Sequence, residues 1–345
     1  MDITRSSLFA TMLYTVLLIT LFLSKGSFWG ESEPVISNAA ETASLIDWGH
    51  LSSITEFVGS GFANRLVVGL LVFILSVMAA RTAIKRVIYL ERNYMPSVLF
   101  VLICTSFNTE ELSITSLVSA VLILMASSTI IKSRRYKHIA SRPLLTSSFY
   151  YGLSALIFPP SIYIAPIMFV GLFMFRQRNL REFIVVVSGF LFPFVLYFIG
   201  IWASGEDILS HWQILLNSTI QSDGTISSLL WSGDLRISEY LFIGVCTILF
   251  ILSNIIFIKT RKFFKKHSQL SFRFFSFFAL WSVAAMLFSP CSTITLLPIM
   301  AISLSVVIPT YFASSRPTFL TNMLYVILIV SALAIHLGEY IWGNL

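Results

Sequence analysis

Charge is scarce in this chain: 11% of its residues are Asp, Glu, Lys or Arg, against 57% that are hydrophobic. Soluble domains carry about a quarter charged residues, so this composition excludes an ordinary water-soluble fold. Cysteine is scarce as well. Cys104, Cys246 and Cys291 show no Cys-x-x-Cys spacing, which argues against both a disulfide framework and a thiolate metal site. The sequence also lacks a P-loop, a Gly-x-Gly-x-x-Gly turn, a His-Glu-x-x-His helix and a nucleophile elbow. The chemistries that depend on those motifs therefore have no signature here, and neither a metal nor an organic cofactor is expected. No linker, repeat or low-complexity stretch divides the chain, so residues 1–345 read as a single transmembrane domain.

What is abundant comes in blocks. Apolar runs near the length that crosses a bilayer core of about 30 Å recur along the whole sequence. Only helices satisfy their own backbone polar groups in lipid when several spans follow one another, so the expected fold is an all-α, polytopic helix bundle. The runs are Leu8–Leu23, Leu66–Ala80, Pro96–Phe107, Leu112–Ile131, Leu144–Phe158, Ser161–Phe175, Phe183–Trp202, Tyr240–Ile258, Phe274–Phe288, Ile294–Phe312 and Thr318–Tyr340. That makes about eleven spans, within a range of nine to twelve because Pro96–Phe107 and Leu144–Phe158 are short for a full crossing. Pro159-Pro160 marks a tight turn between two helices, since proline cannot continue a preceding helix without losing a hydrogen bond. The first run is followed by Ser24-Lys25-Gly26-Ser27, which lacks a clean cleavage pattern, so it reads as a retained helix.

The basic residues assign the sides. With a cytoplasmic N-terminus, every Lys and Arg falls in an inner loop except Lys25, Arg65 and Arg236. Of the acidic residues, only Asp2, Glu91 and Glu182 lie inside. Turning over any one helix would break this pattern, so the positive-inside rule supports the whole topology. The net charge of +7 is then inner-face charge rather than a nucleic-acid footprint. The densest inner run, Lys259-Thr-Arg-Lys-Phe-Phe-Lys-Lys-His267, reads as an anchor on the inner leaflet.

Two outer loops, at about residues 24–64 and 203–239, are longer than connections need to be. In the second, Ile208, Leu209, Trp212, Leu215 and Leu216 share one helical face, and Ser204 is placed to cap that helix. In the first, Trp48, Leu51, Ile54, Phe57 and Val58 form a similar stripe. Both loops are expected to carry amphipathic helices lying in the outer interface.

The apolar cores hold almost no ionisable group; Asn254, His336 and Glu339 are the nearest candidates. Pumps and ion-coupled carriers place charges within the bundle, so a charged relay is disfavoured. Polar equipment gathers in the outer loops instead. Asp47 and His50 are neighbours on a helix, and with Glu33 they are the candidates for a general base acting on a sugar hydroxyl. Arg65 and Arg236, joined by His211, are the candidates for holding a lipid diphosphate, because a guanidinium fork suits phosphate. The competing account gives each arginine a nearby acid or headgroup, and treats Asp47-His50 as a solvated helix turn. Asn217-Ser218-Thr219 fits a glycosylation sequon, a pattern short enough to arise by chance.

Tyr151-Gly152-Leu153, Pro159-Pro160, Arg178-Asn179-Leu180-Arg181-Glu182-Phe183 and Gly189-Phe190-Leu191-Phe192-Pro193 form a recognisable series, preceded by Asn93-Tyr94-Met95-Pro96. Together, over Leu66 to Trp202, they resemble a multi-pass inner-membrane family of Bacteroidota known only as a domain of unknown function. The resemblance implies a bacterial inner membrane and no particular reaction. The loop plan is also similar to that of integral-membrane glycosyltransferases using polyprenyl-phosphate sugars, where an acid of the first outer loop is the base. Here an Asp-x-Asp or Asp-x-Glu pair is missing, and Glu31-Ser32-Glu33 is the nearest match.

Three functions follow. The chain is a non-catalytic subunit or assembly factor of an envelope complex, a lipid-linked-sugar transferase or polymerase at the outer face, or a transporter or lipid flippase. The expected partners are membrane lipids, a polyprenyl-phosphate-linked glycan in the enzyme case, or envelope subunits, and no nucleic acid.

Overall fold

The computed structural model describes residues 61–85, 94–106, 114–133, 141–175, 180–205, 207–220, 237–288, 293–314 and 323–332. Every regular element among these residues is helical. In chain order they are α1 (Gly61–Lys85), α2 (Met95–Thr105), α3 (Ile114–Ser133), α4 (Ser141–Ile157), a 3-10 turn (Pro159–Ile164), α5 (Ile167–Phe175), α6 (Leu180–Ser204) and α7 (Ile208–Ile220). There follow α8 (Ile237–Thr260), a second 3-10 turn (Arg261–Phe263), α9 (Lys266–Phe288), α10 (Thr293–Val307), α11 (Pro309–Ser314) and α12 (Met323–Ala332). Among the described residues six spans, carried by α1, α3, α6, α8, α9 and the α10–α11 run, are long and apolar enough to cross a membrane. The first run, Leu8–Leu23, and residues 24–60 of the first outer loop lie outside the described residues.

The core forms around α10, late in the chain. This helix packs against α1, α2, α3, α8 and α9, and its span is 89% buried, against 28% for the spans of α6 and of α8. Small side chains allow so many neighbours. Ala301, Ser303 and Ser305 are fully buried, and both serine hydroxyls bond carbonyls of their own helix, Met300 and Ile302. Small residues bring helix backbones close where lipid offers no hydrophobic drive for association. The run Ile294–Phe312 is not one helix. Pro309 has no N–H to continue it, and the Tyr311 N–H bonds Ile308 rather than Val307. The freed Val307 carbonyl accepts the Ser253 hydroxyl of α8 at 2.5 Å. Ser253→Ala is therefore expected to lower stability by about 1 kcal/mol, the usual scale of an interhelical hydrogen bond in a membrane. A detergent-unfolding titration of the purified protein measures it.

The short run near Pro96 is a half-length helix. Pro96 occupies the first turn of α2, and both the N–H and the hydroxyl of Ser97 bond Tyr94 O. At the other end the Thr105 and Ser106 hydroxyls turn back onto the carbonyls of Val101 and Leu102. All 11 residues are buried. A helix of that length rises about 16 Å, half of a bilayer core, and it is accommodated because α1 and α10 cover it.

The Pro159-Pro160 step forms the expected turn, as a 3-10 segment rather than a simple reversal. On either side of it, α4 and α6 run parallel: Ser148 meets Gly189, Gly152 meets Phe190, and Leu153 and Leu156 share a cluster with Phe194 and Tyr197. The approach is close. A Cβ on Gly152 would stand 2.2 Å from the Phe190 carbonyl oxygen, and one on Gly189 would stand 2.1 Å from Ser148 Oγ. The runs Tyr151-Gly152-Leu153 and Gly189–Pro193 are thus the seam of a helix crossing. On its other side α4 is tied to α3, where the Ser127 and Tyr151 hydroxyls share a hydrogen bond (3.1 Å) and Ser147 donates to Ala126 O.

These contacts agree with spans of alternating direction. Gly171 of α5 abuts Ile130 of α3, and Phe175 meets Phe274 of α9, gathering segment ends that the charge pattern assigns to one side. Trp281 of α9 donates to Tyr163 O of the 3-10 turn at the opposite end.

Candidate functional site

Of the candidate base and phosphate-binding residues, His211 is the one whose side chain is described. Glu33, Asp47, His50 and Arg236 lie outside the described residues. Arg65 is the fifth residue of α1, and its side chain also lies outside them.

His211 sits on α7, which follows α6 after Gly205. That glycine has φ +81, a left-handed conformation that reverses the chain at a helix end. The cap of α7 differs from expectation. Ser204 donates to Ile201 O and so closes α6, while Asp207 Oδ1 accepts the Leu209 N–H and caps α7. The physical reason is position: Ser204 is still helical, and Asp207 immediately precedes the first turn.

From there α7 packs back on α6 and on the Pro159–Ile164 turn. His211 stacks on Tyr197 with centroids 6.3 Å apart, and Trp212 lies 5.8 Å from Phe198. Leu215 is buried among Leu153, Leu156, Phe194 and Tyr197. The expected apolar stripe is only partly covered by protein, since Ile208, Leu209, Trp212 and Leu216 are exposed. Tyr197 and Phe198, the floor of this contact, were not legible beforehand, because aromatic residues inside a long apolar run carry no mark of where a later helix will lie. The Asn217-Ser218-Thr219 sequon falls within the helix.

The bundle interior is furnished with hydroxyls. Asn254, singled out as a rare polar residue within a span, donates to Phe250 O and accepts from Ser276 of α9 at 3.0 Å. It joins two helices and carries no charge to relay. The Ser154 and Ser161 hydroxyls share a hydrogen bond of 3.2 Å between α4 and the 3-10 turn. Cys104 and Cys246 are buried and unpaired with each other, and Cys291 lies outside the described residues. Among the described residues, no three His, Cys, Asp or Glu side chains converge in a way that would hold a metal ion.

At the opposite end, the turn between α8 and α9 is held by one side chain. Gln269 Nε2 donates to the carbonyls of Arg261 and Phe264, and Gln269 Oε1 accepts from Arg261 Nε. Phe257 stacks on Phe272 at 3.9 Å just beneath. Lys259, Arg261, Lys262, Lys265 and Lys266 are exposed around it.

With its helical architecture and six membrane-length apolar spans among the described residues, the chain is of the class of α-helical membrane-embedded proteins. No protein-family model, curated protein or solved structure matches it.

Proposed function

We propose that this chain is a non-catalytic subunit or assembly factor of a bacterial cell-envelope complex. In this reading it lies in the inner membrane with about eleven spans, its N-terminus is cytoplasmic, and α7 rests in the outer interface. The observation that carries the reading is the contrast between the two faces of α6. One face of α6 is seated through Gly189 and Pro193 against α4, while Leu191, Val195, Leu196, Ile199 and Trp202 are left uncovered by protein. The interior is filled by hydrocarbon and by serine and threonine hydroxyls, most of them bonded to backbone carbonyls. A helix fastened along one seam and apolar along the other is suited to receive a partner's transmembrane helix, because packing rather than hydrophobicity drives association in lipid.

The transferase alternative places Glu33, Asp47 and His50 as base and Arg65, Arg236 and His211 on a polyprenyl diphosphate. One experiment separates the two. Glu33→Gln, Asp47→Asn and Arg236→Ala, each in place of the native gene, are expected to leave lipid-linked glycans unchanged. Native mass spectrometry of the gently solubilised protein is expected to show a stoichiometric second polypeptide. Loss of a glycan in any of the three variants, with a monomeric chain, would replace the subunit reading by the enzyme one.

A further inference from the structure

The turn between α8 and α9 presents a concentration of positive charge in a stretch of sequence without acidic residues. Five cations, Lys259, Arg261, Lys262, Lys265 and Lys266, fall within eight residues and all are exposed. No Asp or Glu occurs between Glu239 and Glu339. At the tip, Phe263 is 77% exposed and Ile258 is 71% exposed, so the patch is both cationic and apolar. Its depth is set by the helices on either side: one apolar span ends at Phe263 and the next begins at Lys266. The patch therefore lies where hydrocarbon gives way to headgroups.

The turn is also preorganised. Gln269 fixes the Arg261–Phe264 backbone with two donated hydrogen bonds and the Arg261 side chain with one that it accepts. Phe264 packs beneath the turn at 5.5 Å from Phe257. Side chains anchored on a fixed turn lose less freedom on binding than those on a floppy loop.

We propose that this turn is a binding site for anionic phospholipid, with Phe263 seated among the acyl chains and the surrounding lysines and arginine on the headgroup phosphates. The depth of the patch selects a lipid over other polyanions, because Phe263 has an apolar medium to enter only at a bilayer. Gln269 is a positioning residue that acts through Arg261 and the turn backbone. The proposal does not depend on the subunit reading, since the isolated chain is enough to show it.

The test uses the full chain in mild detergent, titrated with phosphatidylglycerol, with phosphatidylcholine, or with inorganic phosphate at matched phosphate concentration. The readout is the thermal midpoint. Phosphatidylglycerol alone is expected to raise it, less so as salt is added. The variant K262Q/K265Q/K266Q should need on the order of a hundredfold more phosphatidylglycerol for the same shift, since each cation near a membrane surface is worth about a factor of five. F263S should weaken the response, and so should Q269A, which removes no charge. All the substituted side chains but Gln269 are exposed, so the fold is expected to survive, and the midpoint in phosphatidylcholine checks this. Equal shifts with phosphatidylcholine, an equal shift with inorganic phosphate, or an undiminished response in the triple variant would each overturn the proposal. So would displacement of the lipid by RNA at equal phosphate.

Discussion

Gly152→Leu is expected to separate α6 from α4 and to leave little folded protein in a mild-detergent extract. The added Cβ would stand 2.2 Å from the Phe190 carbonyl oxygen and 3.2 Å from Pro193 Cδ. Neither is the end of a flexible side chain, so one helix must move bodily. Overpacking in a core costs about 1–3 kcal/mol where neighbours can adjust, and here the clash is with backbone, so the upper end of that range is expected. The consequence reaches further than the seam. The cluster that seats Leu215 of α7 is built from Leu153 and Leu156 of α4 with Phe194 and Tyr197 of α6, so parting the two helices also undocks α7 and His211. Gly200→Ala is the control. It lies on the same helix with nothing within 4 Å of a Cβ, and it should be neutral or raise stability by up to about 1 kcal/mol through helix propensity. The yield of monodisperse protein and the unfolding midpoint of each variant decide the matter. A well-folded Gly152→Leu protein with an unchanged midpoint would show that the two helices do not meet this closely.

The second large effect is expected at α10. Ile302 is fully buried in the helix that touches most of the others. Ile302→Ala should cost about 2–5 kcal/mol, the transfer term plus a cavity that rigid neighbours cannot close. Ile251→Ala, the same chemical change on α8 at a side chain that is 52% exposed, should cost far less, because lipid chains refill the space. The difference between the two in a detergent-unfolding titration measures how far α10 is the core of the bundle rather than one span among equals. Equal costs would remove α10 from that position.

These two contrasts show how unevenly the structure was legible. The spans themselves were plain, because a run of apolar residues has only one satisfactory conformation in lipid and its length is set by the bilayer. Pro159-Pro160 was correctly read as an interruption, since proline cannot donate the hydrogen bond that a continuous helix requires. Pro309 divides Ile294–Phe312 in the same way, but the long apolar run around it hid the break. The helix cap was misjudged by one side chain's position: Ser204 and Asp207 both suit a cap, and only the backbone turn at Gly205 decides between them. Gly152 and Gly189 were visible as part of a distinctive series, yet nothing in it said that both line the same helix crossing. Of the candidate site, only His211 could be followed into the fold. There it was found stacked on Tyr197, an aromatic contact across 14 positions that no local pattern announces.

Composition, apolar periodicity and the placement of Lys and Arg were therefore enough to determine a helical membrane-embedded chain and a self-consistent expectation of how its spans alternate, while several helix ends, such as the start of α9 at Lys266 rather than Phe274, were set by more than the apolar run. Each of these rests on the exchange between one segment and its solvent, which is a local property. Which helix lies at the centre was settled only by tertiary structure. In lipid all six membrane-length spans are comparably content with their surroundings. The choice of α10 as hub, the parallel seam of α4 and α6, and the platform at Gln269 depend on shape and on hydrogen bonds between distant residues.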